Sequence, residues 1–147
     1  MPPHAAALPA SEAPAFTAAD LRDPEARRRV SAPAVRLFLR VCDLWDLKVD
    51  ERRAMLGGIS RQTYHNWKAG QVGALTRDQL ERISLTLGVL KGLRLVFAED
   101  AHALRWLKSE NADAPFAGRS PLAHMTEGGL SELADVRRYL DAWRGVK

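Results

Sequence analysis

The fold of this chain is decided by residues 49–70, which read VDERRAMLGGISRQTYHNWKAG. Their first part predicts a short helix, 50–56 at its longest, and the pair of glycines that follows gives the backbone the freedom that a tight turn needs. Ser60 is a suitable N-cap for a second helix, and Gly70 is a suitable residue to end it. A short helix, a glycine-containing turn and a second helix are the parts of a helix-turn-helix.

The second of these helices carries mostly polar side chains. Ile59, Tyr64 and Trp67 have the spacing to anchor it against neighbouring helices, which leaves its other faces open. Arginine can pair bidentately with guanine, glutamine and asparagine can pair with adenine, and lysine can neutralise a phosphate. The free N–H groups at the start of the helix can also hold a phosphate. We therefore expect DNA contacts from Ser60, Arg61, Gln62, Thr63, His65, Asn66 and Lys68.

The charge distribution points to the same part of the chain. The 147 residues carry a net charge of +4. Residues 34–98 hold eleven basic and six acidic side chains, a net +5, whereas residues 1–33 sum to zero and residues 99–147 to −1. The positive excess therefore surrounds the second helix, and this is where a polyanion such as DNA is expected to bind.

Outside this segment the apolar residues recur at helical spacing. One stripe at spacings of three and four follows Pro33, and another begins after Thr76. Glycines at 88 and 92 interrupt the later stripe, so one kinked helix or two abutting helices fit equally well. Further helices are expected over 101–108, over 121–126 and from about Leu130 onward. Because no run of alternating β-branched residues occurs, the sequence predicts an all-α fold.

We expect three regions along the chain. The first 16 residues hold six alanines and four prolines, so residues 1–30 are expected to form a disordered or weakly ordered tail, although Asp23-Pro24 favours the start of a short helix. Residues 31–98 are expected to form the helix-turn-helix module with long connecting helices. Residues 99–147 are expected to form a separate, small helical domain.

Several classes of protein are disfavoured. No stretch approaches the roughly 20 apolar residues of a membrane span, and the first residues lack the pattern of a secretory signal. The single cysteine, Cys42, excludes an internal disulfide and a cysteine-based zinc site. The four histidines show no metal-ligand spacing, and neither a phosphate-cradling glycine loop nor a nucleophile elbow is present. We expect a cytoplasmic protein that is not an enzyme and needs no metal or cofactor.

The stretch SRQTYHNWKAG resembles the second helix of the helix-turn-helix in the Xre family of repressors. The resemblance covers the 22 residues of the segment quoted above, and its serine, threonine, tryptophan and glycine positions are fairly specific. The pair Gly57-Gly58 makes the turn one residue longer than is usual in that family. The resemblance implies operator DNA as a partner and, because such repressors read two half-sites, a homodimer.

A second resemblance covers residues from about 101 to 147. It rests on Ala103-Leu104-Arg105-Trp106-Leu107, then Asn111, then Gly118-Arg119-Ser120-Pro121-Leu122, and finally a terminal helix that ends near Gly145. This succession resembles the toxin-binding domain of the Xre/MbcA/ParS antitoxins. The resemblance implies an antitoxin of a type II toxin–antitoxin system, which neutralises a RES-type toxin that consumes NAD and represses its own operon as a toxin–antitoxin hetero-oligomer.

The same resemblance implies that the C-terminal region covers or enters the NAD-binding cleft of the toxin. The expected toxin-binding residues are Trp106, Arg119, Leu140, Trp143, Arg144, Val146 and Lys147. Core packing is the alternative role for the two tryptophans, and stapling of its own loop is the alternative for Arg119. Two other functions stay open: a stand-alone helix-turn-helix transcription regulator, and a purely protein-binding inhibitor that does not bind DNA.

Overall fold

The computed structural model describes residues 18–145, and all regular structure within them is α-helical. The prediction of an all-α fold is therefore confirmed. The helices are α1 (Ala18–Arg22), α2 (Pro24–Leu44), α3 (Val49–Met55), α4 (Arg61–Lys68), α5 (Arg77–Val96), α6 (Asp100–Lys108), α7 (Pro121–Glu127) and α8 (Leu130–Gly145). The part of the expected tail before residue 18, and the expected toxin-binding residues Val146 and Lys147, lie outside the described residues.

Residues with a left-handed backbone end three of the helices. Asp46, Gly57 and Gly70 have φ angles of 52°, 81° and 87°. At the end of α3, the N–H groups of Gly57 and of the residue after it donate hydrogen bonds of 3.0 and 2.8 Å to carbonyls in the last turn of the helix. This pair of bonds satisfies carbonyls that a helix end leaves free, and it turns the chain sharply towards α4.

Side-chain caps start several helices. Ser60 and Ser120 each accept a hydrogen bond of 3.0 Å from the N–H three residues further on. Thr76 and Gln79 cap each other reciprocally, with bonds of 3.1 and 2.9 Å to the backbone N–H groups, which is a capping box. The predicted helix starts at Ser60 and Thr76 are therefore confirmed.

Helix α2 corrects the expected limit of the ordered part of the chain. It begins at Pro24, where Asp23 caps the first turn, and continues without a break through Pro33. A proline inside a helix leaves one carbonyl without its partner, but Pro33 is exposed, so water can satisfy that carbonyl. Ala26 is buried and ties the first turns of α2 to the core. The expectation that the weakly ordered tail reaches residue 30 was therefore wrong for the described residues.

A buried serine on α2 holds the segment that follows α4. Ser31 is 1% exposed. Its Oγ donates to the Arg27 carbonyl at 2.6 Å and accepts the Leu75 N–H at 2.9 Å. Because a buried N–H without a partner is costly, this bond fixes the path of the chain between α4 and α5.

The described chain divides into two compact units between Leu87 and Gly88. The boundary expected at 98/99 falls instead inside α5, which is one continuous helix and not two. Its second part packs closely on α8: a Cβ added at Gly92 would lie 3.2 Å from the Leu140 Cβ, and one at Gly88 would lie 2.3 Å from Arg137 Nη1. The two glycines therefore allow close approach of a neighbouring helix, and they do not end α5.

The core of the first unit gathers large apolar side chains from α2 to α5. They include Phe38, Val41, Trp45, Met55, Tyr64, Trp67, Leu80 and Ile83, none of them more than 7% exposed. The apolar stripe predicted after Pro33 supplies the α2 members of this set. Cys42 is also buried there, and burial raises the pKa of its thiol well above the usual value, as expected for a packing residue.

In the second unit, α7 packs against both α6 and α8. The core side chains are Leu107, Phe116, Met125, Leu133, Val136 and Leu140, none of them more than 2% exposed. His124 Nε2 lies 2.9 Å from Asp135 Oδ2 and so links α7 to α8. The Phe116 ring stands edge-on against the His124 ring. These contacts fix the loop between α6 and α7 relative to α8.

Candidate functional site

Helix α4, called here the recognition helix, presents a polar surface to solvent. Tyr64 and Trp67, 2% and 7% exposed, hold it in the first unit, as the sequence predicted. The seven residues expected to contact DNA lie on its other sides or at its N-terminus. Ser60, Arg61, Gln62, His65 and Lys68 are exposed, and Thr63 and Asn66 are partly buried. The structure therefore brings all seven together on one open surface.

Two side-chain pairs order this surface. The Ser60 and Thr63 hydroxyl groups lie 2.9 Å apart at the start of the recognition helix. The Gln62 side-chain amide donates to Asn66 Oδ1 at 2.9 Å. Holding an exposed amide in one rotamer reduces the entropy that is lost when it pairs with a base.

Two arginines of α3 form hydrogen bonds to the recognition helix and to the turn before it. Arg52 forms an ion pair of 2.9 Å with Asp43, donates to the Tyr64 hydroxyl at 3.1 Å, and donates to a backbone carbonyl at 2.9 Å. Arg53 Nε donates to the Ile59 carbonyl at 2.7 Å, across the turn. The Arg52 side chain is only 11% exposed, and its bond to the Tyr64 hydroxyl joins α3 directly to α4.

An acidic residue of α3 holds one of the candidate DNA-contacting side chains. Asp50 Oδ1 accepts hydrogen bonds from Arg61 Nη2 at 3.0 Å and from Arg53 Nη1 at 3.1 Å. The Arg61 side chain is 64% exposed, so the pair is weak and easily exchanged for a phosphate or a base. Asp50 therefore competes with any anion for part of the Arg61 guanidinium.

The second unit has a groove on its surface that is rich in aromatic residues. Its volume is about 540 Å³, and it is lined by Trp106, Asn111, Asp113, Tyr139, Ala142 and Trp143. We call it the aromatic groove. The residues come from α6, from the loop after α6 and from α8, so three separate parts of the second unit build it.

Three rings form the apolar part of the aromatic groove. Trp106 and Tyr139 are stacked, with centroids 5.7 Å apart and ring planes 24° apart. The Trp143 ring centroid lies 6.1 Å from both. Phe97 and Phe116 pack against these rings from other sides. Trp143 is nevertheless 39% exposed, and exposed tryptophans of this kind are enriched at the centres of protein interfaces.

The polar part of the aromatic groove comes from the loop after α6. The Tyr139 hydroxyl donates to Asp113 Oδ2 at 2.8 Å, and Asn111 Oδ1 accepts the Asp113 N–H at 3.0 Å. Partial burial and the bond to Asp113 raise the pKa of the Tyr139 phenol, so the phenol remains a donor at neutral pH. Asp113 itself is exposed.

Arg119 shapes this loop. Its guanidinium donates to the Ala123 carbonyl at 3.1 Å and to Glu127 Oε1 at 2.7 Å. Its backbone pairs with that of Asn111: the Asn111 N–H donates to the Arg119 carbonyl at 3.1 Å. These contacts staple the loop, which is the alternative role that the sequence predicted for Arg119.

The other expected toxin-binding residues have different positions. Trp106 and Trp143 line the aromatic groove, and Arg144 is exposed with Asp141 Oδ1 3.7 Å away. Leu140, in contrast, is 0% exposed and packs against Gly92. Its assignment to the toxin-binding surface was wrong, because a side chain buried in this way has no surface to offer a partner.

Sequence reasoning missed several members of both surfaces. Asp50 and Arg52 support the recognition helix, but nothing in a short helix distinguishes them from solvated charges. Tyr139 could have been found, since it lies four residues before Trp143 and therefore on the same helix face. Asp113 gave no signal, because its position depends on the folding of an irregular loop.

Other kinds of site find no support among residues 18–145. No group of three or more histidine, cysteine, aspartate or glutamate side chains there is arranged to hold a metal ion. None of the helices in this part of the chain combines the length and the apolar character needed to cross a bilayer.

The fold and the two surfaces define an all-α protein with a helix-turn-helix unit followed by a helical unit that carries an aromatic groove. Comparison with known families gives two matches. Residues 24–88 match the antitoxin Xre-like helix-turn-helix domain, and residues 92–145 match the antitoxin Xre/MbcA/ParS C-terminal toxin-binding domain. The chain therefore belongs to the Xre/MbcA/ParS family of antitoxins, as its sequence suggested.

A relative is found in Sinorhizobium fredii. It is the uncharacterized protein y4oB, which is 37% identical over 108 residues. The alignment covers 74% of this chain and 81% of that protein. The similarity therefore extends over most of both chains and is not confined to one motif.

Proposed function

We propose that this protein is the antitoxin of a type II toxin–antitoxin system. Its second unit binds and blocks a RES-type toxin that consumes NAD, and its helix-turn-helix represses the operon that encodes both proteins. One observation carries the proposal: a single chain of this family has an exposed polar recognition helix in one unit and an open aromatic groove in the other.

The DNA-binding part of the proposal rests on the recognition helix. Its exposed side chains include Arg61, Gln62 and Lys68, which are suited to guanine, adenine and phosphate respectively. The charge of the first unit adds a favourable field for DNA, because residues 34–87 hold nine basic and six acidic side chains, a net +3. Because a single recognition helix reads one half-site, the repressor acts as a homodimer or within a larger toxin–antitoxin complex.

The toxin-binding part rests on the aromatic groove and on the end of α8. Trp143 offers a partly exposed ring, which can be buried fully by a partner at little cost in side-chain entropy. Arg144 lies next to it and is exposed as well. This end of the chain covers or enters the NAD-binding cleft of the toxin, so that NAD is excluded.

A co-expression experiment tests the proposal. The product of the neighbouring reading frame is expressed alone and together with the full-length chain, and host growth and cellular NAD are followed. We expect the neighbour alone to stop growth and deplete NAD, and the full-length chain to restore both. A neighbour that is harmless alone, or NAD depletion that the chain does not relieve, would contradict the toxin-binding part.

A double variant separates the two units in the same assay. Arg61→Ala with Lys68→Ala should still restore growth, but its affinity for operator DNA should fall about tenfold or more, because a base contact and a phosphate contact are lost. The matched control is Arg29→Ala with Arg36→Ala, which removes the same charge from exposed positions on α2. Equal operator affinity of the two double variants would contradict the assignment of the recognition helix.

A further inference from the structure

The aromatic groove has the geometry of a site for a cation. The centroids of Trp106, Tyr139 and Trp143 are 5.7, 6.1 and 6.1 Å apart. A cation is attracted over the face of an aromatic ring, within about 6 Å of its centroid, so a cation against the partly exposed Trp143 ring also lies close to the other two rings. Two of the three rings belong to tryptophan, the side chain that attracts cations best.

A carboxylate stands at the edge of these rings. Asp113 lines the same groove, and the partner of its carboxylate among the described residues is the Tyr139 hydroxyl and not a basic side chain. A cation in the groove therefore lies next to a negatively charged side chain. Neighbouring acids of the second unit differ in this respect: Glu127 is paired with Arg119, and Asp141 has basic side chains within 4 Å.

Shape narrows the kind of cation. A groove lined by flat rings suits a planar group, which can stack on them. Guanidinium is planar, stacks on aromatic faces, is weakly hydrated and pairs with carboxylates through parallel N–H groups, whereas an ammonium is compact and strongly hydrated. The Asn111 side chain, which also lines the groove, adds a polar group at the same end.

We propose that the aromatic groove binds an arginine side chain of the partner toxin, with the guanidinium over the rings of Trp106 and Trp143 and next to the Asp113 carboxylate. That the arginine belongs to the toxin rests on the function proposed above. The cation site itself rests only on the groove. This arginine would anchor the toxin beside α8, so that the end of the chain is held close to the cleft that it blocks.

The cation site can be tested without a toxin. The purified full-length chain is titrated with N-acetylarginine methylamide, and the indole N–H signals of its four tryptophans are followed by NMR. We expect saturable shifts of the Trp106 and Trp143 signals. Trp45 and Trp67 are buried in the first unit and serve as internal controls. N-acetylcitrulline methylamide, which has nearly the same shape without the charge, should bind at least about fivefold more weakly.

Two variants test whether the preference for the charged derivative comes from the Asp113 carboxylate. Asp113→Asn keeps an acceptor for the Tyr139 hydroxyl but removes the carboxylate, so it should weaken binding of the arginine derivative about fivefold and leave the citrulline derivative unaffected. Glu110→Gln removes an exposed acid from the same loop, outside the groove lining, and should change neither. Equal affinities for the two derivatives, or equal effects of the two variants, would overturn the cation site.

The source of the arginine is decided in a second step. In the complex with the toxin, Asp113→Asn should weaken affinity about tenfold relative to Glu110→Gln. If the derivative binds but the toxin affinity of the two variants is the same, the groove is a cation site for another partner. If the derivative does not bind and co-expression still restores growth, the antitoxin function stands and the cation site is refuted.

Discussion

Replacing Leu140 by alanine should destabilise the second unit while leaving the aromatic groove open to a partner. Leu140 is 0% exposed and packs on Gly92, which has no side chain that could move into the vacated space. The three buried carbons that are lost correspond to about 2.5 kcal/mol of transfer free energy. The cavity raises the expected loss of unfolding free energy to about 4 kcal/mol.

The matched variant is Trp143→Ala on the same helix. Trp143 is 39% exposed and makes edge contacts with Phe97 and Tyr139. Its loss should cost about 2–3 kcal/mol of unfolding free energy, less than for Leu140, because the ring is only partly buried and no closed cavity is left. The same variant should weaken toxin binding by about 2 kcal/mol or more, as expected for a central interface tryptophan.

Calorimetry distinguishes the two variants. Differential scanning calorimetry should show the Tm falling by more than about 15 °C for Leu140→Ala and by less for Trp143→Ala. Titration with the toxin below the lower Tm should show the opposite order of effects on affinity. A Leu140→Ala variant of normal Tm that fails to bind toxin would refute the burial argument and return Leu140 to the interface.

Three more predictions concern individual side chains. Ser31→Ala should lower the unfolding free energy by about 1–3 kcal/mol in urea denaturation, because a buried N–H loses its acceptor. The control is Thr86→Val, because the Thr86 hydroxyl donates to the Arg82 carbonyl of its own helix. This variant should change the unfolding free energy by less than about 1 kcal/mol, and similar losses in both variants would refute the role of Ser31. Asp50→Asn should raise operator affinity about threefold at low salt, as measured by fluorescence anisotropy. The reason is that Arg61 is released and one negative charge is removed. A lower affinity would contradict this and would mean that Asp50 positions Arg61 for binding. Glu132 accepts a backbone N–H at 2.7 Å, which lowers its pKa from the usual value of 4.5. The stability that this bond adds is present above pH 4.5 and is lost as the pH falls through the lowered pKa. Glu132→Gln should therefore flatten the acid side of a plot of unfolding free energy against pH. An unchanged slope there would contradict this.

The helix-turn-helix could be predicted because its signals are local. Ser60 caps the recognition helix through a bond to a residue three positions away, and the glycine pair closes α3 through bonds that span at most five residues. Signals of this range are contained in any short window of sequence. For the same reason the two ends of the recognition helix were predicted correctly.

The start of α2 at Asp23-Pro24 was predicted, but its length could not be predicted in this way. Pro33 indicates a helix boundary by its local chemistry, but the helix continues because that proline faces solvent and because Ser31, two residues earlier, binds the Leu75 N–H. That bond joins residues 44 positions apart. Only the tertiary fold decides whether a proline is tolerated at such a position.

The aromatic groove was predictable only in part. Trp106 and Trp143 were identified because they are large and lie in the matching segments, but Asp113 reaches Tyr139 across 26 residues of chain. Leu140 and Trp143 are three residues apart and therefore share a helix face. Helical periodicity could not tell which of them is buried, because that depends on Gly92 in another helix.

The most direct test of the account is the NAD-consuming activity of the purified toxin, measured while the full-length chain is added in increasing amounts. We predict that NAD consumption falls in proportion to the added chain and ends at a fixed molar ratio, and that Trp143→Ala shifts the curve to higher concentration while Arg61→Ala does not. Undiminished NAD consumption at excess full-length chain would contradict the claim that this protein is the antitoxin of a toxin that consumes NAD.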